Sequence, residues 1–277
     1  MGLGGGAHRL HFALPVVALL VDWVIPVRAL VVSDIHANLH ALEAVLAAAP
    51  EFDQMWNLGD VVGYGAYPNE VIELLRAMAT VNVRGNHDRV CSGISSSMGF
   101  NPVAAAAAGW TRSELRSDNR EWLRAVPMGP IQASARAMVA HGSPLHEDQY
   151  ISSMRDAWMP LQKMETEITF FGHTHVQGGF SQRHEEWEES RPLYLESSPD
   201  AVVQATLDVP AGSRHLINPG SVGQPRDGDW RAAFAIYDDV LEQVTFFRTP
   251  YDVAAAQAAI RKARLPERLA ARLRTGQ

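Results

Sequence analysis

Short apolar runs alternate with helical stretches over residues 28–175 of the chain. Runs at 29–32, 55–58, 80–83, 137–140 and 168–171 have the length and apolar character of buried strands. Helical patterns separate them at 39–48, 69–79 and 103–125, the first after a candidate N-cap at Asn38. This alternation predicts an α/β fold rather than a helical bundle or an all-β sandwich.

The pattern changes after residue 175. Strand-like runs at 201–207, 215–217, 232–237 and 243–247 predict that this part of the sheet system is more antiparallel. The polar, proline-bearing segment 182–200 predicts an extended hairpin or a surface loop. Two amphipathic helices are predicted at 252–263 and 266–273. Since no repeat and no linker rich in glycine and serine divides the chain, residues 27–277 are predicted to form a single domain with C-terminal helices.

The first 26 residues differ from the rest of the chain. Their apolar run from Phe12 to Val21 is interrupted by Pro15, closed by Asp22 and shorter than the about 20 residues of a membrane helix. No membrane span is therefore predicted. We interpret residues 1–26 as an N-terminal extension upstream of a domain whose functional start is Val27. A secretory signal peptide is the alternative, although no small-x-small cleavage site follows the apolar run.

The composition is that of an ordinary globular protein, with 47% hydrophobic and 20% charged residues among 277. The formal net charge of −7 provides no basic surface for a nucleic-acid backbone, so no long nucleic acid is expected as a partner. A single cysteine excludes an internal disulfide and fits a reducing cytoplasm, which is the predicted location. The sequence leaves the oligomeric state open.

Polar side chains follow each of the five predicted strands at its carboxyl end. In chain order they are Asp34 and His36, then Asp60, then Asn86 with His87 and Asp88, then His141, and then His173 with His175. Each set alone has a simpler explanation as a helix cap, a turn or a strand end. Because ligands of open α/β sheets bind beyond the carboxyl ends of the strands, the joint occurrence predicts one common site.

The residue types in this set indicate a metal site. Carboxylates, imidazoles and an amide oxygen are ligands that divalent Mn, Fe and Zn accept, and the set contains no thiolate. Two such ions about 3.5 to 4 Å apart need a carboxylate that bridges them, for which Asp60 is the candidate. We therefore predict two divalent ions, with manganese favoured.

The motifs DIHAN, GDVVGYG, GNHD, HGSP and GHTH resemble those of the calcineurin-like metallophosphoesterases, and the resemblance extends from Arg28 nearly to the C terminus. The later segments INPGSVGQPRDGD, YDV and LPERLAARL are similar to a bacterial branch of phosphodiesterases, phosphatases and diadenosine tetraphosphatase-like proteins. The resemblance implies a four-layer αββα sandwich of two mixed sheets flanked by helices. It implies that one ion is held by Asp34, His36, Asp60 and His175. It implies that the other is held by Asp60, Asn86, His141 and His173.

The resemblance also implies a hydrolase of small phosphate esters, nucleotides among them, with phosphodiesters favoured and a metal-activated hydroxide as nucleophile. His87, free of the metals, would protonate the leaving group, and Asp88 would orient it and keep it protonated. Arg226 would hold a phosphate, unless it pairs with Asp227 or Asp229. Hydrolysis of phosphomonoesters or of dinucleoside polyphosphates is the alternative activity. A non-catalytic, metal-stabilised interaction scaffold is the alternative from another class of protein.

Overall fold

The computed structural model describes Met1 and residues 26–195, 198 and 200–277. The expectations for residues 2–25, and for part of the segment 182–200, therefore lie outside the described residues. Among the helices that are described, none has both the length and the apolar character needed to cross a membrane.

The described residues form twelve strands and eight α-helices. The strands are β1 (Arg28–Val32), β2 (Gln54–Asn57), β3 (Val81–Asn82), β4 (Ile131–Gln132), β5 (Ala137–Val139), β6 (Ile168–Phe170), β7 (Gly178–Arg183), β8 (Glu186–Ser190), β9 (Val203–Asp208), β10 (Arg214–Asn218), β11 (Ala232–Asp238) and β12 (Gln243–Thr249). The helices are α1 (Leu39–Ala48), α2 (Pro68–Met78), α3 (Asn86–Ser92), α4 (Pro102–Glu114), α5 (Ser117–Ala125), α6 (Met154–Lys163), α7 (Val253–Lys262) and α8 (Glu267–Ala271), which a 3₁₀ turn at Arg272–Arg274 follows.

The strands of the described residues form two mixed sheets. The first has the order β3-β2-β1-β11-β12-β9, and the second has the order β4-β5-β6-β10-β7-β8. Strands β1, β2 and β3 run parallel, and so do β5, β6 and β10. The later pairs β11·β12, β12·β9, β10·β7 and β7·β8 are antiparallel, as the change of pattern after residue 175 predicts.

Three apolar clusters hold the layers together. Between the two sheets lie Trp56, Phe170 and Tyr237, whose ring centroids are 5.5 to 5.8 Å apart. A second cluster packs α1, α2, α4, α7 and α8 on the outer face of the first sheet, and a third packs α6 on the second sheet. Burying a large apolar side chain contributes roughly 1.5–3 kcal/mol, so these contacts set the stacking of the sheets. The predicted four-layer αββα sandwich is confirmed.

Two helical regions differ from the prediction. The alanine-rich region 103–125 is not one helix, because Leu115 adopts an extended conformation and Asn69 bonds the backbone on both sides of it, at Glu114 and Arg116. Helix α6 was not predicted, since Pro160 lies in its interior, where proline usually breaks a helix.

The start of α1 ties the two sheets together near the site. As predicted, Asn38 caps this helix, its side-chain oxygen accepting from the Ala41 amide at 3.3 Å. Its side-chain nitrogen donates to the Gly223 carbonyl at 2.9 Å, in the loop after β10. The loops that follow the carboxyl ends of strands in both sheets therefore meet at one rim of the molecule.

Candidate active site

The seven predicted ligands come together at this shared rim. The first sheet delivers Asp34 and His36 after β1, Asp60 after β2 and Asn86 after β3. The second sheet delivers His141 after β5, and His173 and His175 after β6. Six of the seven are buried, with at most 5% of their surface exposed, and Asn86 is half-buried. The site therefore lies across both sheets and is largely closed to water.

The ligand atoms form two overlapping groups. In one, atoms of Asp34, His36, Asp60 and His175 all lie within 4.8 Å of one another, and in the other Asp60, His141 and His173 do. Oδ1 of Asn86 joins the second group, 3.2 Å from Nε2 of His141. Asp60 belongs to both groups, since its Oδ2 is 3.7 Å from Nε2 of His36 and 3.5 Å from Nε2 of His141. This carboxylate thus has the place that a bridging ligand needs.

Backbone carbonyls fix the tautomer of three of the histidines. The Nδ1 atoms of His36, His141 and His175 each lie within hydrogen-bond distance of a carbonyl oxygen. These oxygens belong to Val62, Leu58 and Gln224, at 3.1, 2.9 and 2.7 Å respectively. Because a carbonyl only accepts, the ring proton is on Nδ1, and the lone pair of Nε2 faces the site.

Two of these lone pairs face each other without a proton between them, because Nε2 of His36 and Nε2 of His175 are 3.2 Å apart. Two unprotonated ring nitrogens at this distance repel each other, whereas a cation between them would be bound by both. In the second group, Nε2 of His141 is 3.0 Å from Nδ1 of His173. The donor set of imidazole, carboxylate and amide oxygen therefore fits divalent metal ions.

Burial shifts the pKa values of Asp34, Asp60 and His173 so that the uncharged form of each is favoured. It raises the pKa of Asp34 to about 7, with His141 opposing and Asp60 adding to the shift. Burial and the neighbouring Asp88 raise the pKa of Asp60 well above its ordinary value. Burial also lowers the pKa of His173 to about 2, with His141 adding to the effect. A cation would reverse the balance for the carboxylates, because metal binding displaces their protons.

Five of the ligands have backbone angles that favour glycine. The φ angles of Asp34, His36, Asp60, His173 and His175 lie between 50° and 68°. Each such residue costs on the order of 1–3 kcal/mol and persists only where its surroundings fix it. Backbone hydrogen bonds do so here, from the Asp34 amide to Gly59 at 3.0 Å and from the His36 amide to Asp60 at 2.9 Å. The ligand loops are therefore held in place before any ion binds.

The GNHD motif brings the start of α3 against Asp60. A Cβ atom at Gly85 would lie 2.0 Å from Oδ1 of Asp60 and 2.4 Å from its amide, so no larger residue fits. The amide of His87 donates to the same Oδ1 at 2.8 Å. The other oxygen of this carboxylate, Oδ2, therefore remains available to bind metal together with the two ligand groups.

His87 lies beside the ligands rather than among them. Its ring is 5% exposed and packs against Tyr64 and Phe100, with centroids 4.4 and 4.6 Å away. Its Nδ1 has no hydrogen-bond partner in the described part of the chain. Burial lowers the pKa of His87 to about 3, and Arg226 and His141 add to the effect. In the absence of ions and substrate, the surroundings of His87 therefore favour the neutral ring.

Asp88 does not have the role that the sequence predicts for it. Its carboxylate accepts from the amide of Gly85 at 2.9 Å and from that of Val62 at 3.2 Å. The structure therefore does not bring Asp88 to the ring nitrogens of His87. The physical reason is its place in the first turn of α3, where free backbone amides compete for a carboxylate. Asp88 fixes the loop after Asp60 instead.

A cavity of about 570 Å³ opens onto the site and contains Arg226 in its wall. Arg226 pairs with neither of the carboxylates that the sequence analysis considered. Asp227 pairs with Arg248, and Asp229 with Arg231 at 2.7 Å. Nε of Arg226 is buried and has no partner among the described residues. The guanidinium group is thus free to bind an anion in the cavity.

Several residues that line this cavity were not predicted as site residues, among them Tyr150, Arg268 and Arg272. Tyr150 stacks on His173, with centroids 4.0 Å apart and an angle of 29° between the rings. Arg268 and Arg272, near the C terminus, line the same cavity. Arg268 and Arg272 belong to the segment LPERLAARL, which resembles a bacterial branch of the family, but no spacing links this segment or Tyr150 to the strand ends, so no site role was predicted for them.

Comparisons with known proteins agree with this geometry. The family model described as calcineurin-like phosphoesterase superfamily domain matches residues 27–239. The crystal structure of a metallophosphoesterase from Sphaerobacter thermophilus is 41% identical, with a TM-score of 0.78, and the match covers 91% of this chain and 100% of that one.

Two sequence relatives extend the comparison. An uncharacterized protein of Methanocaldococcus jannaschii is 33% identical over 251 residues, covering 89% of this chain and 97% of the relative. A symmetrical bis(5'-nucleosyl)-tetraphosphatase of Erwinia tasmaniensis is 28% identical over 115 residues, which span 40% of this chain and 42% of that protein.

Proposed function

The chain belongs to the calcineurin-like phosphoesterase superfamily and is a hydrolase, and we propose that it cleaves phosphoric esters with two divalent ions. One ion would be held by Asp34, His36, Asp60 and His175. The other would be held by Asp60, Asn86, His141 and His173. The observation that carries this proposal is the position of Asp60, whose carboxylate belongs to two groups of converging, buried ligand atoms.

The proposed ions determine the charge of the site. When bound, two divalent ions would polarise the phosphoryl oxygens of the substrate and would lower the pKa of a water molecule bound to them. Their four positive charges exceed the two negative charges of Asp34 and Asp60, so the site attracts an anion. Manganese is our first choice among Mn, Fe and Zn, because the set combines hard oxygen donors with imidazole and has no thiolate.

Two residues beside the ligands would act on the substrate directly. Arg226, which lines the cavity without a carboxylate partner, would hold a phosphoryl oxygen with its planar guanidinium group. His87 would donate a proton to the departing ester oxygen. Because the pKa of His87 is lowered to about 3 in the free site, this role requires the negative charge of the bound substrate to raise it.

We infer that the substrate is a small organic phosphate of nucleotide type, with phosphodiester bonds favoured. A cavity of about 570 Å³ has the size of a site for a small molecule. The similarity to a bis(5'-nucleosyl)-tetraphosphatase supports a nucleotide-type substrate. Phosphomonoesters and dinucleoside polyphosphates are the alternatives within this class. The presence of every ligand together with His87 favours an enzyme over a metal-stabilised scaffold.

The proposal is tested with the full chain after removal of metal by a chelator. Adding Mn²⁺ should restore hydrolysis of bis(p-nitrophenyl) phosphate, and to a smaller extent of p-nitrophenyl phosphate. Glu43→Gln, which removes an exposed carboxylate on α1, is the matched control for changes in the site and should behave as the wild type. Binding of two ions without turnover of either ester would contradict the proposal and favour the scaffold.

A further inference from the structure

Three arginines face the cavity that contains the proposed metal ligands. Arg226 comes from the loop after β10, and Arg268 and Arg272 come from α8 and the turn that follows it. Side chains four positions apart lie on the same side of a helical segment, so Arg268 and Arg272 point in similar directions. The C-terminal segment thus adds two positive charges to the wall of the cavity.

In the part of the chain that the structure describes, these three arginines lack a side-chain carboxylate partner of the kind that Arg261 has. Arg261 on α7 pairs with Glu267 at 2.7 Å. In contrast, Arg226 donates to the uncharged side chain of Gln224 at 3.3 Å, and Arg272 donates to a main-chain oxygen of Gln277, the last residue of the printed sequence. Within the described residues, no Asp or Glu side chain forms an ion pair with any of the three cavity arginines. The charge of these arginines is therefore not neutralised by an acidic side chain.

The three guanidinium groups also repel one another. Burial, Arg226 and Arg268 together lower the pKa of Arg272 to about 10, with Tyr64 opposing them. A bound polyanion would relieve this repulsion. The surroundings of Arg272 thus agree with the arginine lining of the cavity in indicating an anionic ligand.

A single phosphodiester does not account for so much positive charge. The proposed ions and Arg226 already exceed the one negative charge of a diester group. Arg268 and Arg272 add two further charges on the same cavity, in the planar form that binds two phosphate oxygens at once. A second phosphate group on the substrate would satisfy both.

We propose that Arg268 and Arg272 bind a second phosphate group of the substrate, beyond the one that is hydrolysed. The preferred substrates are then phosphoric esters or anhydrides that carry at least two phosphate groups. This inference rests on the proposed function, because it extends the same cavity. Arg268 and Arg272 determine specificity in this account and take no part in the bond cleavage.

The test compares two ligands that differ by one phosphate group. Adenosine monophosphate and α,β-methylene-ADP, which resists cleavage between its phosphates, are titrated calorimetrically into the full chain with saturating Mn²⁺. We expect the wild type to bind the analogue at least about tenfold more tightly, as two charge-assisted contacts would allow. The double variant R268Q/R272Q should lose most of this advantage, and R268K/R272K should keep part of it.

The control pair is R155Q/R183Q, which removes two exposed arginines from α6 and β7 and so changes the net charge equally. It should leave the discrimination between the two ligands intact. The single variant Arg268→Gln guards against misfolding, since Arg268 is exposed. Methylenediphosphonate distinguishes the sources of the second phosphate. An arginine-dependent preference for the nucleotide analogue over it supports a nucleotide, and equal arginine-dependent binding supports an inorganic polyphosphate chain.

Equal losses for both adenosine ligands in R268Q/R272Q, or the same loss in the control pair, would overturn the inference. The outcome is separable from that of the proposed function. If the wild type discriminates between the ligands but hydrolyses no ester with Mn²⁺, the proposed function fails and the second-phosphate site stands. If it hydrolyses esters and shows no discrimination, the reverse holds.

Discussion

The metal-ligand cluster and the arginine wall, formed by Arg226, Arg268 and Arg272, share one cavity but are held in opposite ways. Six of the seven cluster residues are buried, and backbone groups of two sheets fix their rings and carboxylates. The wall residues are exposed or half-buried and have few hydrogen bonds. The geometry for metal binding is thus part of the core, whereas the charge that would select a substrate is carried by peripheral segments.

This difference sets the expected size of mutational effects. A change in the cluster disturbs strained backbone and buried charge together, so it should affect metal binding and turnover at once. A change in the wall should affect one class of ligand and leave the metals in place.

Among changes to the metal-ligand cluster, Asp60→Asn should have the largest effect on metal binding and turnover. Because Asp60 belongs to both ligand groups, the variant should bind one ion or none. Loss of several kcal/mol of transition-state stabilisation corresponds to about a thousandfold lower turnover or more. Metal analysis by mass spectrometry and the rate with bis(p-nitrophenyl) phosphate measure both effects. Two retained ions with near-normal activity would refute the role of Asp60, and Glu43→Gln is the control.

His87 lies between the two regions, and His87→Ala should separate its chemistry from metal binding. A proton donor matters most for a poor leaving group, so nucleoside or alkyl esters should lose about 10²- to 10⁴-fold in rate. Esters of nitrophenol should lose distinctly less. Both ions should remain bound. Equal losses on all esters would indicate a structural role, and loss of metal would indicate a ligand.

Replacing Asn218 should show how far metal binding depends on hydrogen bonds that hold the ligand loop after β6 in place. Its side chain is 1% exposed and donates to the Gly172 carbonyl at 2.9 Å and to Thr174 at 3.0 Å, beside the ligands His173 and His175. Asn218→Ala should weaken metal binding by about 10- to 100-fold, and saturating Mn²⁺ should restore the rate.

The control for Asn218 is Asn69→Ala, which removes similar bonds at the junction of α4 and α5, away from the ligand loops. Unchanged metal affinity in Asn218→Ala would show that the loop after β6 does not need this support. Equal weakening in both variants would assign the effect to general loss of stability.

The smallest effect is expected in the wall, for Arg226→Lys. Lysine keeps the charge but loses the planar group that binds two oxygens, so kcat/KM should fall by about tenfold, mainly through a higher KM. Metal content should not change. A fall in kcat together with lost metal would mean that Arg226 helps to hold the metal ligands in place. The arginine wall would then not be independent of metal binding.

The sequence predicted the cluster well because each ligand directly follows an apolar strand. Within each sheet, the carboxyl ends of the parallel strands lie at one edge, which gathers the residues after β1, β2 and β3 and those after β5 and β6. The stacking of the sheets then brings Asp34 and His173 together although 139 positions separate them. The same reasoning does not predict the left-handed backbone of these residues, since that depends on hydrogen bonds between distant loops.

The periphery could not be predicted in the same way. Arg268 and Arg272 reach the cavity only because α8 packs on α7, and no sequence pattern encodes that docking. Helix α6 was not predicted because Pro160 lies in its interior, although the buried positions Ala157, Pro160 and Leu161 have helical spacing. Asp88 follows His87 in the sequence, which suggested a contact with the His87 ring. Because Asp88 lies in the first turn of α3, its carboxylate accepts hydrogen bonds from backbone amides instead.

The most direct test of the two-metal site is anomalous X-ray diffraction at the manganese edge, from crystals of the full chain grown with Mn²⁺. We expect two peaks about 3.5 to 4 Å apart, with the carboxylate of Asp60 between them. One peak should lie among Asp34, His36 and His175, and the other among Asn86, His141 and His173. A single peak, or peaks away from Asp60, in a protein that hydrolyses phosphoric esters would contradict the two-metal site.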